Sequence, residues 1–151
     1  MGETFEHQVH VRWRDVDALG HVNHAIFLTY LEEGRDAFYA SVLGSEPLYV
    51  VVRIEVDLRA EVRYPEREVI VAIAPERLGT TSMTTRETVL TPSRVVAAQA
   101  RVVTVRWDDA RRRPIPFTAA ERAQLTAVMD PAIMDPAVMD PAVADPAVAD
   151  G

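Results

Sequence analysis

Residues 12–24 read RWRDVDALGHVNH and gather unusual chemistry in one short stretch. They hold two carboxylates (Asp15, Asp17), Gly20, two imidazoles (His21, His24) and Asn23, the only Asn of the chain. A helical pattern begins directly after them. The N–H groups of a helix's first turn have no intrahelical acceptor and carry the positive end of its dipole. Such groups can polarise a carbonyl and stabilise a developing oxyanion. A carboxylate beside them can act as nucleophile or general base, and the same field favours its ionised form. Acids at helix N-termini also serve as caps, and the residues alone leave both roles open. Composition narrows the chemistry. The 151 residues include no Cys and no Lys, so all 16 basic residues are Arg. Thiolate nucleophiles, disulfides and Cys-ligated zinc or iron–sulfur sites are excluded. So are Schiff-base and pyridoxal-phosphate chemistry and the P-loop lysine. A carboxylate is left as the natural nucleophile or base.

The surrounding pattern supplies elements to position this loop. His7 to Trp13 alternates, with Val9, Val11 and Trp13 on one face, and predicts a first strand. Residues 14–23 are a loop. From His24 to about Val42, Phe27, Tyr30, Leu31, Ala37, Phe38 and Val42 follow helical spacing, with Gly44 as a stop. Gly34 inside this helix costs about 1 kcal/mol against Ala, either to permit close approach to a sheet or as a tolerated residue. Val50 to Tyr64 alternates for thirteen residues, Val52 through Tyr64 against Arg53 through Arg63, and predicts a long strand with one buried face. Glu68–Ala74, Thr80–Leu90 and Arg94–Trp107 predict three more strands, punctuated by Gly79 and by Pro92-Ser93. Residues 118–127 predict a short helix with Thr118 as N-cap and Glu121 three residues later. The order implies an α+β layout with one main helix on one sheet. One helix cannot cover both faces of five strands, and the last strand is partly apolar on both faces. We therefore expect a homodimer or higher homo-oligomer.

The net charge is −7 and the pI about 5.1. That balance argues against a general nucleic-acid binder. From Met129 the chain repeats MDPAI, MDPAV, MDPAV, ADPAV, ADG, with Pro131, Pro136, Pro141 and Pro146 five apart. Neither helix nor strand tolerates that spacing, so 129–151 is expected to be an extended or disordered acidic tail, and 1–128 the folded domain. Without the five Asp of the tail, 18 acidic residues face 16 Arg, a net of −2. No stretch reaches 18 apolar residues, so no membrane association is expected. The N-terminus lacks a signal-peptide pattern, which makes the cytoplasm the expected location. His7 and His10, and His21 and His24, are each three apart. The first pair falls in a strand, where i and i+3 point to opposite faces, and no third ligand is evident, so no metal site is expected. Arg111-Arg112-Arg113 fits a solvated turn, or a contact to nucleotide phosphates.

The segment DVDALGHVNHAIFLTYLEEGRDAF resembles the opening motif of the hotdog-fold acyl-CoA thioesterases, the 4-hydroxybenzoyl-CoA thioesterase-like group. The pattern is Asp-x-Asp-x-x-Gly, often continued as His-Val-Asn-Asn, then a helix with aromatic residues and Glu-x-Arg. Here these positions are Asp15, Asp17, Gly20, His21, Val22, Asn23, Tyr30, Glu33 and Arg35. The resemblance runs over roughly residues 7–127, through the Arg77-Leu-Gly-Thr-Thr-Ser82 turn to Trp107. It implies a hotdog fold: a long central helix wrapped by a curved antiparallel sheet of about five strands, with two subunits joined edge to edge and the active site at their interface. It implies acyl-CoA as substrate, hydrolysed to free acid and CoA without a cofactor. It makes Asp17 the catalytic carboxylate and the His24 backbone N–H the oxyanion donor. Gly20, Asn23, Glu33 and Thr81 become the substrate-binding positions, while Asp15 holds the loop.

His24 stands where many relatives carry a second Asn. If only its N–H matters, little changes; if its side chain meets the acyl group or the attacking water, substrate choice or rate differs. Glu33 fits a second polar group in the site or a surface acid paired with Arg35. Thr80, Thr81 and Ser82 fit hydroxyls near the thioester or simple turn and strand propensity. Two other readings stand beside hydrolysis. A hotdog hydratase or dehydratase would use His21 or His24 with Asp17 for proton transfer. A non-catalytic module would bind acyl-CoA and release no thiol.

Overall fold

The computed structural model describes residues 4–45 and 48–131. The chain forms β1 (Phe5–His10), α1 (Ile26–Leu43), β2 (Tyr49–Leu58), β3 (Glu68–Leu78), β4 (Ser82–Leu90), β5 (Val96–Asp108), a two-residue β6 (Arg113–Pro114) and α2 (Ala119–Val128). The sheet is antiparallel in the order β1-β3-β4-β5-β2, with β6 hung on the end of β5. It curls around α1, which packs on β1, β3 and β4. Among the described residues no helix is long and apolar enough to cross a membrane. Residues 132–151, most of the predicted tail, lie outside the described residues.

The helix sits where its pattern predicts. Phe27, Tyr30, Leu31, Gly34, Arg35, Phe38 and Tyr39 are its buried face, and Gly44 ends it in the left-handed region at φ 71°. Gly34 is there for space: a Cβ would come within 2.7 Å of the Val71 Cβ on β3. The glycine lets the helix axis approach the sheet, which settles the alternative left open by the sequence. Helix α2 has the predicted capping box. Thr118 Oγ1 accepts the Glu121 N–H at 3.1 Å, and a Glu121 carboxylate oxygen accepts the Thr118 N–H at 2.8 Å.

Arg35 is the unexpected member of the buried face. It is 2% exposed and pairs with Glu87 of β4, itself fully buried, through Nε–Oε1 at 2.8 Å and Nη2–Oε2 at 3.0 Å. Thr85 Oγ1 donates to Glu87 Oε1 at 2.7 Å. Tyr49 of β2 donates to Asp36 and lies 3.5 Å from Arg35 Nη1. The expected pairing of Glu33 with Arg35 does not occur, because the two side chains leave α1 on different sides.

Two strand expectations are corrected. The first strand stops at His10. Trp13 belongs to a short 3-10 turn (Trp13–Asp15) and is 78% exposed rather than on the face of Val9 and Val11. A run of alternation cannot reveal that the chain turns when Val11 N–H reaches Arg67 O at 2.8 Å. The long alternating strand ends at Leu58, where the N–H groups of Arg59 and Ala60 share one acceptor, Ala97 O. Its apolar face is not buried inside the subunit. Ile54, Val56 and Leu58 lie opposite Val102, Ala100 and Ala98, so they continue the inner face of the sheet. They nevertheless remain partly open, Leu58 at 52%, because β2 is an edge strand that meets α1 at its first residue, Tyr49. The expected reason for association also shifts. Both edges of β5 are paired inside the subunit, to β4 and β2, and the outer apolar edge belongs to β2.

Candidate active site

The segment after β1 is built around Asp15. This carboxylate is buried, accepts the Arg12 N–H at 2.9 Å and accepts the Tyr30 hydroxyl at 2.7 Å, both on Oδ2. Its main-chain carbonyl accepts the Asn23 N–H at 2.9 Å. The loop is thereby tied to α1 at both ends. Burial, reinforced by the Asp15 carboxylate, holds the Tyr30 hydroxyl well above the ordinary phenol range, so it stays a donor. Asp15 holds the loop, as the resemblance implies.

Asp17 sits in the turn that this frame supports. Its N–H donates to His21 O at 3.0 Å, its carbonyl accepts the Gly20 N–H at 3.1 Å, and Val16 bridges Val22. Gly20 closes the turn at φ +84°, a conformation that disfavours any side chain, although space for a Cβ is open there. Asp17 Oδ1 accepts the Leu19 N–H at 2.9 Å. Among the described residues no donor reaches Oδ2, and the side chain is 28% exposed. One oxygen is thus engaged by the main chain. His21 Nδ1 lies 3.9 Å from Asp17 Oδ1, and its Nε2 lies 3.6 Å from Glu61 Oε2.

The entrance to α1 follows. Asn23 Oδ1 accepts the Ala25 N–H at 3.0 Å and its carbonyl accepts the Ile26 N–H at 2.9 Å. Asn23 therefore closes a turn just ahead of α1, whose N-cap, Ala25, has no side-chain cap bond. The N–H of His24, just before these two satisfied donors, has no acceptor among the described residues. His24 itself is exposed. The same segment thus holds a carboxylate with one oxygen engaged by the main chain and, just ahead of α1, an N–H with no acceptor among the described residues.

The remaining predicted positions are dispersed. Glu33 is ion-paired to Arg12 at 2.7 Å, a half-buried contact that ties α1 to the end of β1. Thr81 lies at the opposite end of the sheet. Its carbonyl accepts the Arg106 N–H at 2.8 Å, and Arg106 pairs with Tyr49 at the start of β2. Asp17 lies beyond the other end of β2, where His21 bridges Arg63. The ten residues of β2 lie between the two in one chain. Arg111 and Arg112 pair with Asp108 and Asp109 in an exposed turn. His7 and His10 fall on opposite faces of β1, and among the described residues no three His, Asp or Glu are gathered to hold a metal ion. Sequence reasoning missed Glu61, which alternation places among the outward polar residues of a strand that has in fact already ended.

Solved structures with the same fold carry related descriptions. A predicted thioesterase from Bacillus stearothermophilus is 26% identical, with a TM-score of 0.75 over 85% of this chain and 98% of its own. A thioesterase from Thermus thermophilus, complexed with coenzyme A and Zn, is 32% identical, with a TM-score of 0.71 over 82% of this chain and 92% of its own. A hypothetical protein from Staphylococcus aureus in complex with CoA, at 12% identity, shares the fold alone, with a TM-score of 0.73 over 85% of each chain. No curated protein matches the sequence. A family model for the thioesterase-like superfamily matches residues 11–136. With the curled sheet around one long helix and the acidic turn at that helix's start, the match establishes that this chain is a hotdog-fold member of the thioesterase-like superfamily.

Proposed function

We propose that the protein hydrolyses an acyl-CoA thioester to the free acid and CoA, with Asp17 as the reactive carboxylate. The observation that carries this reading is that one segment holds Asp17, whose Oδ2 meets no donor among the described residues, and, just ahead of α1, the His24 N–H, which meets no acceptor among them. The N–H donates to the thioester carbonyl oxygen and stabilises the negative charge that develops there. Asp17 either attacks the carbonyl carbon or takes a proton from a water that does so. The C–S bond then breaks and CoA leaves as the thiol. The relative from Thermus thermophilus, solved with coenzyme A, supports CoA as the thiol part of the substrate.

A homodimer completes this reading. A twofold axis normal to the sheet joins two copies of β2 antiparallel, which satisfies the unpaired edge and covers Ile54, Val56 and Leu58. The start of one β2 then meets the end of the other. Thr81 of one copy comes to the side of the sheet that bears Asp17 of its mate, the arrangement in which both serve one site. Gly20 shapes the turn, Asn23 presents the helix start, and Glu33 holds the loop through Arg12.

Asp17→Asn should lower thiol release from a panel of short, long and aromatic acyl-CoAs by at least about 10²-fold, with the fold and assembly unchanged. Full activity in that variant would sink the assignment. His21 within 3.9 Å of Asp17 gives the hydratase reading one observation of its own. Water addition to an enoyl-CoA without thiol release would favour it.

A further inference from the structure

The imidazole of His21 stands between two carboxylates, one of which is Asp17. Main-chain pairing puts it there. The His21 carbonyl accepts the Asp17 N–H at 3.0 Å, Val22 N–H reaches Val62 O at 2.8 Å, and His21 bridges Arg63. The ring's Nδ1 then lies 3.9 Å from Asp17 Oδ1 and its Nε2 3.6 Å from Glu61 Oε2. These are ion-pair separations rather than hydrogen bonds. A neutral imidazole carries one N–H and one lone pair, so it can face only one of two carboxylates favourably. The imidazolium presents an N–H to each. The other charges nearby are Arg63, the bridge partner, and Glu66, which interacts with both Glu61 and Arg63. Asp17 Oδ1 already takes the Leu19 N–H. A cation beside that same oxygen opposes rotation of the carboxylate.

We propose that His21 is a positioning residue for Asp17, with Glu61 orienting its ring. The imidazole holds Asp17 Oδ1, so that Oδ2 is the oxygen that meets the substrate or the attacking water. The inference rests on Asp17 being the reactive carboxylate. It assigns a role to Glu61, which lies outside the loop motif.

The test compares full-length wild type, Asp17→Asn, His21→Gln, Glu61→Gln and the His21→Gln/Glu61→Gln double variant in thiol release across pH. His21→Gln should lower kcat about tenfold or more with KM within about twofold, the pattern of a lost alignment rather than lost binding. The pH profile of His21→Gln should differ in shape from that of the wild type. The double variant should be no slower than His21→Gln alone, because Glu61 acts through the ring. Unchanged kcat and an unchanged pH profile in His21→Gln, with Asp17→Asn inactive at every pH, would overturn the inference and leave the hydrolase reading intact. If the wild type releases no thiol from any acyl-CoA, that reading fails by itself. Crystal structures then decide the inference: loss of the Leu19 N–H to Oδ1 bond in His21→Gln upholds it, and an unmoved Asp17 carboxylate refutes it.

Discussion

Arg35 and Glu87 face each other across the contact between α1 and β4 with almost no access to water. Such a pair need not stabilise the fold relative to apolar residues, but removing one partner strands the other charge. Glu87→Ala should therefore cost about 3–5 kcal/mol in urea unfolding. A loss below about 1 kcal/mol would show that water reaches the guanidinium. The tyrosines around the helix give a second expectation. Burial holds the hydroxyls of Tyr30, Tyr39 and Tyr49 above the ordinary phenol range, and that of Tyr39 is pushed up to about 12. The folded state thus keeps protons that the unfolded chain releases near about pH 10. Their contribution is complete below about pH 10 and is lost as pH rises toward about 12, at about 1.4 kcal/mol per pH unit for each tyrosine. Urea midpoints that stay flat between about pH 9 and 11 would contradict it. The Arg35–Glu87 pair was partly legible in the sequence. Met83, Thr85, Glu87 and Val89 alternate on one face, and an acid in such a row is a sign of a buried partner. The partner itself is 52 residues away, and one-dimensional periodicity carries no such distance.

Helix α1 and the strands it covers were legible because one buried face imposes one period on each. Helix α2 was legible from its capping residues, and its cap can be measured: Thr118→Ala should cost about 1 kcal/mol. The fit of α1 against β3 was only half legible, since a glycine in a helix has more than one explanation. Gly34→Ala should destabilise by about 1–3 kcal/mol through overlap with Val71. Val71→Ala should recover part of that loss, and strict additivity in the double variant would argue against the contact. The candidate loop was legible at Asp15, Asp17, Gly20 and His24, which lie close together in the chain. Glu61 and Thr81 were not placeable, because their neighbourhoods depend on where β2 ends and on what pairs with its free edge.

That free edge shapes the whole molecule. Strand β2 carries Val51, Val52, Ile54, Val56 and Leu58 with 37% or more of each still open to solvent. An open apolar strand edge is a liability for an isolated subunit. Val56→Lys should convert the proposed dimer to monomer, raising its dissociation constant about 10²-fold or more, since an unpaired charge would be buried at the seam. Sedimentation at several concentrations measures it, and a variant that still sediments as a dimer would place the interface elsewhere.

The distance between Asp17 and Thr81 within one chain has a consequence for mixtures. If each site draws the two residues from different chains, Asp17→Asn and Thr81→Val spoil the same site only when they meet from opposite sides. A hybrid of one chain of each kind then contains one doubly damaged site and one wholly native site. Two inactive preparations, unfolded together and refolded in equal amounts, should recover about a quarter of native turnover by random association. Catalytic competence would thus be a property of the pair, inherited by neither chain alone.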